Sequence, residues 1–240
     1  MGRPERPLVI AHRGSSGHRP ENTRPAFELA VEHRADMIET DLHVTRDGVV
    51  VLSHDAELEH LGAEGQVSDR TLAELHTLDA GGGERVPRLD ETLDSFGPRI
   101  PWNLEFKKPV DGFYEGVEAE ALAAVESRGL LDLTLFSCFY DPVLERLRAL
   151  SPGARIALLI SRRFPDRAVQ RAQALGAEAI NPEASITTPE LVEEAHAAGL
   201  AVYVFTVDPA GEMRRFLEMG VDGLFTNLPD RMYAILHEDS

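Results

Sequence analysis

Short apolar runs alternate along the chain with longer stretches whose apolar positions recur every three or four residues. The runs cover residues 8–12, 37–44, 49–54, 102–106, 133–139, 155–160, 177–181, 201–207 and 223–226. Several are almost continuously apolar, as expected of strands covered on both faces. The stretches between them read as helices with legible ends. Thr188-Pro189, Asp141-Pro142 and Asp208-Pro209 each look like an N-cap followed by proline in the first helical turn. Gly199 and Gly220 stand where a C-terminal glycine stop belongs. Strand then helix, repeated from end to end, predicts parallel βαβ units.

The count favours a closed barrel. With 37–54 taken as one strand plus a hairpin extension, eight principal strands remain, the number of an α/β protein of the (β/α)8 TIM-barrel class. The competing arrangement, an open doubly wound sheet, would carry a glycine-rich phosphate loop after its first strand. His12-Arg13-Gly14-Ser15-Ser16-Gly17 has only a faint likeness to one, and the next helix is not expected before about Arg24. Residues 55–94 break the rhythm. They are polar, carry Gly62, Gly65 and Gly81-Gly82-Gly83, and offer only a short helical piece near 72–78. They are expected to form a small insertion after the second strand, too short to bury a core of its own. Residues 1–240 are therefore read as a single barrel domain.

Composition narrows the partners. At 43% apolar residues the chain is too hydrophobic to be globally disordered. Its 41 acidic against 24 basic residues give a formal charge of −17, which disfavours nucleic acid and stable association with an anionic membrane. A phosphate-bearing small molecule remains compatible if its site is locally positive. The single cysteine, Cys138, excludes an intrachain disulfide and a cysteine metal cluster. The apolar run 8–11 is too short for a signal-peptide core or a membrane span, and Glu5 and Arg6 do not complete an acylation motif at Gly2. A cytoplasmic protein is the expectation; the oligomeric state is not readable.

The chemistry concentrates at strand ends. On 37–44 the side chains alternate faces, so Glu39 and Asp41 point the same way as Met37. Two carboxylates side by side on an interior strand repel each other and are costly to desolvate, which favours a bound cation. Glu105, near the end of the run 102–106, supplies a third oxygen ligand, and an all-oxygen set suits Mg²⁺ or Ca²⁺. Of nine histidines, His33, His76, His196 and His237 sit among charged helical residues and are read as solvated, while His18, His43 and His60 are ambiguous. His12 and His54 each close an apolar strand, so a barrel would bring both to the carboxylate face. Arg13 follows His12, and Lys107 shares the face of Glu105. Cation, arginine and lysine together would make an anion site suited to phosphoryl chemistry, with a histidine to move protons.

These residues also carry a family resemblance. Ala11-His12-Arg13-Gly14-Ser15-Ser16-Gly17, Pro20-Glu21-Asn22-Thr23 and Ala26-Phe27 closely resemble the opening motif of glycerophosphodiester phosphodiesterases. The resemblance continues through Ala35-Asp36-Met37-Ile38-Glu39-Thr40-Asp41, Thr45-Arg46-Asp47-Gly48 and Ser53-His54-Asp55. It resumes at Pro87-Arg88-Leu89-Asp90-Glu91, Asn103-Leu104-Glu105-Phe106-Lys107, Phe136-Ser137 and Gly220-Val221-Asp222-Gly223. It implies a barrel with a small insertion after the second strand, one divalent cation on Glu39, Asp41 and Glu105, His12 and His54 as the acid/base pair, and Arg13 and Lys107 on phosphate. Glu21 and Asn22 would either hydrogen-bond around the site or cap the helix near Arg24. The chain departs from the family pattern at His33-Arg34, at Phe205 (tryptophan is common there, beside the site), at Asn227 (aspartate is common), and after His54-Asp55, where an arginine-threonine pair is frequent. Every proposed ligand and proton carrier is retained, and the departures fall where the leaving group would be read. The implied reaction is metal-dependent hydrolysis of a glycerophosphodiester to glycerol 3-phosphate and an alcohol. The alternatives are a lysophospholipase D, disfavoured by the few large apolar residues in 55–94, and a non-catalytic phosphodiester-binding barrel, which has no need of paired proton carriers.

Overall fold

The computed structural model describes residues 3–238, so Gly2 lies outside the described residues. The elements run β1 (Leu8–His12), α1 (Arg24–Glu32), β2 (Met37–Val44), β3 (Val50–Leu52), α2 (Leu72–Leu75), α3 (Leu89–Phe96), β4 (Trp102–Phe106), α4 (Val117–Glu126) and β5 (Thr134–Cys138). They continue with α5 (Asp141–Leu150), β6 (Arg155–Ile160), α6 (Ala168–Ala174), β7 (Ala179–Pro182), α7 (Pro189–Ala197), β8 (Ala201–Val204), α8 (Ala210–Glu218), β9 (Gly223–Thr226) and α9 (Pro229–Leu236). Around the ring the strands follow the order β1-β9-β8-β7-β6-β5-β4-β2. Every pair is parallel, and β1 closes the circle against β2. β3 hangs antiparallel on the far end of β2, with Leu42 opposite Leu52 and Val44 opposite Val50. This is the eight-stranded parallel barrel that the run count predicts.

Strand alternation sorts the side chains into two shells. Outward residues such as Ile38, Trp102, Leu104 and Phe136 pack against helix residues such as Phe27 and Phe96. Trp102 meets Phe27 edge to face at 5.3 Å between centroids. Each such burial contributes about 1.5–3 kcal/mol. Inside the ring, Ile10, Met37, Leu135, Ala157, Ala179, Ala201, Tyr203 and Phe225 form a dry floor. Above that floor the inward positions of β2, β4, β5 and β7 turn polar, at Glu39, Asp41, Asn103, Glu105, Ser137 and Asn181. An apolar plug carrying a polar ceiling at the strands' C-terminal ends is what a barrel active site requires.

The insertion differs in detail from its sequence reading. α3 begins at Leu89 and is the barrel's own helix between β2 and β4, so the insertion ends before it rather than at 94. Its Leu58, Val67, Leu75 and Val86 also gather around Val51 of β3 in a small core. Those residues are too widely spaced to show a period, which is why the pattern hid them. Two of the three expected caps differ as well. Thr188 accepts from Leu191 N as a capping side chain should. Asp141 instead lies inside α5 and clasps Arg171, and the carboxylate of Asp208 turns away from α8 to the end of β9. No helix among the described residues is long and apolar enough to cross a membrane.

Candidate active site

Strand register assembles the site. His12 lies opposite Glu39 across β1–β2, and Asp41 lies opposite Glu105 across β2–β4. The carboxylates of Glu39, Asp41 and Glu105 are buried, and one oxygen from each falls within 4.8 Å of the others. Glu39 Oε1, Asp41 Oδ1 and Glu105 Oε1 have no hydrogen-bond partner. Lys107 Nζ comes within 2.6 Å of Glu105 Oε1 and 3.0 Å of Asp41 Oδ1, close enough to pair as ions but off the hydrogen-bonding direction. Buried carboxylate oxygens left unsatisfied are expensive, and an all-oxygen set of this spacing suits a hard divalent cation. The residues present fit such an ion.

The charges are strongly coupled. Burial, with repulsion from Asp41 and Glu105, drives the Glu39 carboxyl well above its ordinary range. Burial also raises Glu105, against the pull of Lys107. Burial would raise Asp41 too, but Lys107 and Arg13 override it and hold that carboxyl low. Lys107 is desolvated, yet Asp41 and Glu105 keep it firmly protonated. Although both leave the ends of their strands, the side chains of Arg13 and Lys107 are only 16% exposed and lean on Asp41, with Arg13 Nε 3.3 Å from Oδ2. The buried acids draw them inward.

The loop between β1 and α1 takes an unusual path to do this. Arg13 has φ +56°, which swings its N–H onto Glu39 Oε2 at 3.0 Å. Gly14 follows at φ +80°, where an added Cβ would sit 2.7 Å from the backbone of Ala26, so only glycine lets the loop cross α1 this closely. Glu21 pairs with Arg13 at 2.8 Å. Asn22 donates to Asp41 Oδ2 at 2.9 Å and accepts from Thr40 Oγ1 at 2.6 Å. Of the two readings open for Glu21 and Asn22, their contacts match the site. Thr23 stands at the N-cap, and no side chain caps that helix.

His12 Nε2 lies 4.0 Å from Glu39 Oε2, and Nδ1 lies 2.8 Å from Asn227 Oδ1. Burial and the neighbouring Arg13 push His12 down to about 4, so the ring is neutral near pH 7. His54 is more open, with Nδ1 2.8 Å from Asp55 Oδ1; burial and Lys107 lower it while Asp41 pulls the other way. His43, ambiguous in the sequence, is a buried support. Its Nε2 donates to the His54 carbonyl at 3.2 Å, and its Nδ1 accepts from the Tyr114 hydroxyl at 2.6 Å. Sequence reasoning also missed Asn227 as the partner of His12 and Asp208 as the partner of Asn227. The available signal was that Thr226-Asn227 leave the end of β9 much as His12-Arg13 leave β1. His18, His33 and Asp230 form a separate group at the surface, already satisfied by His18–Asp230 at 3.1 Å and by Ser15 Oγ on His33 at 3.1 Å.

One side of the site opens into a cleft of about 470 Å³ lined by His54, Glu105 and Lys107 together with Val110, Tyr140 and Arg163. Phe205 packs edge to face on Phe139, which lines the cleft, and on Phe225. Beyond Tyr140 the exposed rings of Phe113 and Phe164 continue the apolar edge.

The profile of the glycerophosphoryl diester phosphodiesterase family matches residues 12–231. A Bacillus subtilis glycerophosphodiester phosphodiesterase is 32% identical over 97% of this chain and 87% of its own length. A Caldanaerobacter subterraneus protein of the same name is 33% identical over 96% and 98%. Among solved structures, a putative glycerophosphoryl diester phosphodiesterase from Silicibacter pomeroyi superposes with a TM-score of 0.89 at 29% identity, covering 99% of this chain and 95% of that one. An Oleispira antarctica phosphodiesterase in complex with the product sn-glycerol 3-phosphate gives 0.85 at 30% identity, with 96% of each chain covered.

Proposed function

The chain belongs to the glycerophosphoryl diester phosphodiesterase family, and from that premise we propose that it hydrolyses glycerophosphodiesters to glycerol 3-phosphate and an alcohol with the help of one divalent cation, Mg²⁺ or Ca²⁺. The observation that carries the reading is the trio of buried carboxylates of Glu39, Asp41 and Glu105, each with an oxygen that accepts no hydrogen bond and two of them facing the Lys107 ammonium, placed beside His12 on strands that end at an open cleft. When bound, the cation supplies positive charge to a non-bridging phosphate oxygen. Arg13 and Lys107 add two fixed charges on the same side, aimed by their contacts with Asp41. His12, buried and neutral, acts as the base on water or on a glycerol hydroxyl. His54 lines the open cleft, where a leaving group of any size must pass; in its imidazolium form, held with Asp55 Oδ1 on Nδ1, it gives its proton to the leaving alkoxide and returns to the neutral ring. Residues 1–240 are taken to work as one barrel domain on a small molecule, in the cytoplasm, without nucleic acid or stable membrane contact.

A turnover assay with glycerophosphocholine, scored for choline and glycerol 3-phosphate, tests this. Exhaustive chelation should abolish release, and Mg²⁺ or Ca²⁺ should restore it. Full activity in protein shown by elemental analysis to be metal-free would refute the cation, and absence of both products with metal added would refute the substrate. A second reading, cleavage of a lysophospholipid, is favoured by the exposed Val110 in the cleft and the exposed Phe113 and Phe164 beyond it. It requires turnover of the lysolipid to match or exceed that of the water-soluble diester.

A further inference from the structure

The amide of Asn227 is held in one orientation by Asp208. Asp208 Oδ1 accepts from Thr226 Oγ1 at 2.9 Å and from the Asn227 backbone N–H at 2.8 Å, while Oδ2 lies 2.7 Å from Asn227 Nδ2. At that distance a carboxylate tolerates only a donor, so the atom facing Asp208 is the NH₂ and the amide oxygen faces His12. Ser16 does not decide the matter. Its hydroxyl lies 2.8 Å from Asn227 Oδ1 and 2.7 Å from the His12 carbonyl, and it can donate to one while meeting either end of the amide. An amide oxygen 2.8 Å from His12 Nδ1 can only accept, so Nδ1 must carry the proton. The Nε2 lone pair is thereby left bare, 4.0 Å from Glu39 and facing the carboxylate site.

We propose that Asn227, oriented by Asp208, is a positioning residue that fixes His12 as its Nδ1–H tautomer and so presents Nε2 as the proton acceptor. The inference concerns the ring; its effect on rate rests on the reading of His12 as the base. Neither residue touches the reacting atoms. Asp208 acts at one remove, through an amide that would otherwise be free to turn.

The geometry singles out an isosteric perturbation. In Asp208→Asn the new amide keeps its oxygen on Thr226 and the Asn227 backbone, but its NH₂ opposes that of Asn227. Asn227 then relieves the clash by turning over, which places its NH₂ on His12 Nδ1 and moves the proton to Nε2. The double variant Asp208→Asn/Asn227→Asp keeps the net charge and exchanges the partners, so an acceptor again faces Nδ1.

Nitrogen-15 NMR of the His12 ring in folded, labelled protein reads the tautomer directly, and kcat is measured alongside. The wild type should show protonated Nδ1 and bare Nε2. Asp208→Asn should reverse this and lower kcat by on the order of 10²–10⁴-fold at little change in KM. The double variant should return the wild-type pattern and recover kcat at least about tenfold over the single variant. A wild-type ring protonated on Nε2 overturns the proposal, whatever the variants do. So does an Asp208→Asn ring that keeps its proton on Nδ1, or a double variant no different from the single. A tautomer that reverses while kcat holds supports the positioning and refutes instead the assignment of His12 as the base.

Discussion

Replacing Glu39 by glutamine should make the protein more stable in the presence of a chelator and less responsive to a divalent cation. Glu39 faces Asp41 and Glu105 with oxygens no more than 4.8 Å apart. At an effective dielectric constant of about 20, each such repulsion is worth at least roughly 3.5 kcal/mol. Arg13 and Lys107 offset part of it, leaving a net relief on the order of 1–3 kcal/mol, or about 2–12 °C in melting temperature for a chain of this size. The pH dependence follows from the raised Glu39 carboxyl. A carboxyl whose folded value lies above its unfolded one costs nothing below the unfolded value of about 4.3, and its contribution to stability is lost as pH rises through the folded value. His12 and His43, held down to about 4, work in the opposite direction below about pH 6.5, so the informative quantity is the wild-type-minus-variant difference, which should widen as pH rises above the unfolded carboxyl value of about 4.3. With saturating Mg²⁺ or Ca²⁺ the order should reverse, because the variant lacks one charged ligand and its affinity should fall by about tenfold or more. Thermal unfolding followed by circular dichroism, in chelator and in metal, measures all of this. A Glu39→Gln protein that melts lower in chelator, or that gains as much from the cation as the wild type, would refute the reasoning.

Lys107→Ala and Arg13→Ala should each lower kcat/KM by on the order of 10²-fold, and Lys107→Ala should also lower the melting temperature in chelator because it leaves Glu105 without its ion-pair partner and Asp41 with Arg13 alone; near wild-type kinetics would remove either residue from the site. If His54 is the acid, His54→Ala should retain far more activity on a nitrophenyl diester, whose leaving group departs unprotonated, than on glycerophosphocholine, whereas His12→Ala should lose similar factors on both; equal losses throughout would make the histidines phosphate or metal contacts instead. Asn22→Leu strips Asp41 Oδ2 and Thr40 Oγ1 of their shared partner and should cost about 1–3 kcal/mol of stability together with weaker cation affinity, both readable by thermal unfolding and by calorimetric titration with Mg²⁺.

The barrel was legible because its evidence is periodic. Apolar runs of strand length recur in step with helical stretches, and two-residue alternation places Glu39 and Asp41 on the face of Met37 without any coordinates. Register was not legible. Nothing local in 8–12 or 37–44 says that His12 faces Glu39 rather than Met37, and that pairing decides which groups meet. Polar side chains that contact partners far along the chain were misread for the same reason. Asp208 stands before a proline as a cap would, yet its partners are 18 and 19 residues on, at Thr226 and Asn227. His43 looked like any histidine on an alternating strand until Tyr114 came down on it. The small core that the insertion builds on β3 escaped because Leu58, Val67, Leu75 and Val86 are brought to Val51 by loops rather than by a repeat.

The pairing of β1 with β9 also bears on the time at which the protein becomes competent. All three carboxylates, both proposed proton carriers and both cations lie within the first 107 residues, on or just past β1, β2, β3 and β4. A chain emerging from the ribosome therefore exposes a complete set of reactive groups long before it can finish its ring. The joint Leu8–Gly223 spans most of the polypeptide, so forming it carries the heaviest loop-closure cost and belongs to the slow end of folding. Asn227 arrives with β9 one residue past that strand, and only then does His12 meet the partner on its Nδ1. Onset of turnover during refolding should thus lag behind secondary structure and coincide with ring closure, making catalysis itself a reporter of the last topological event in the birth of the molecule.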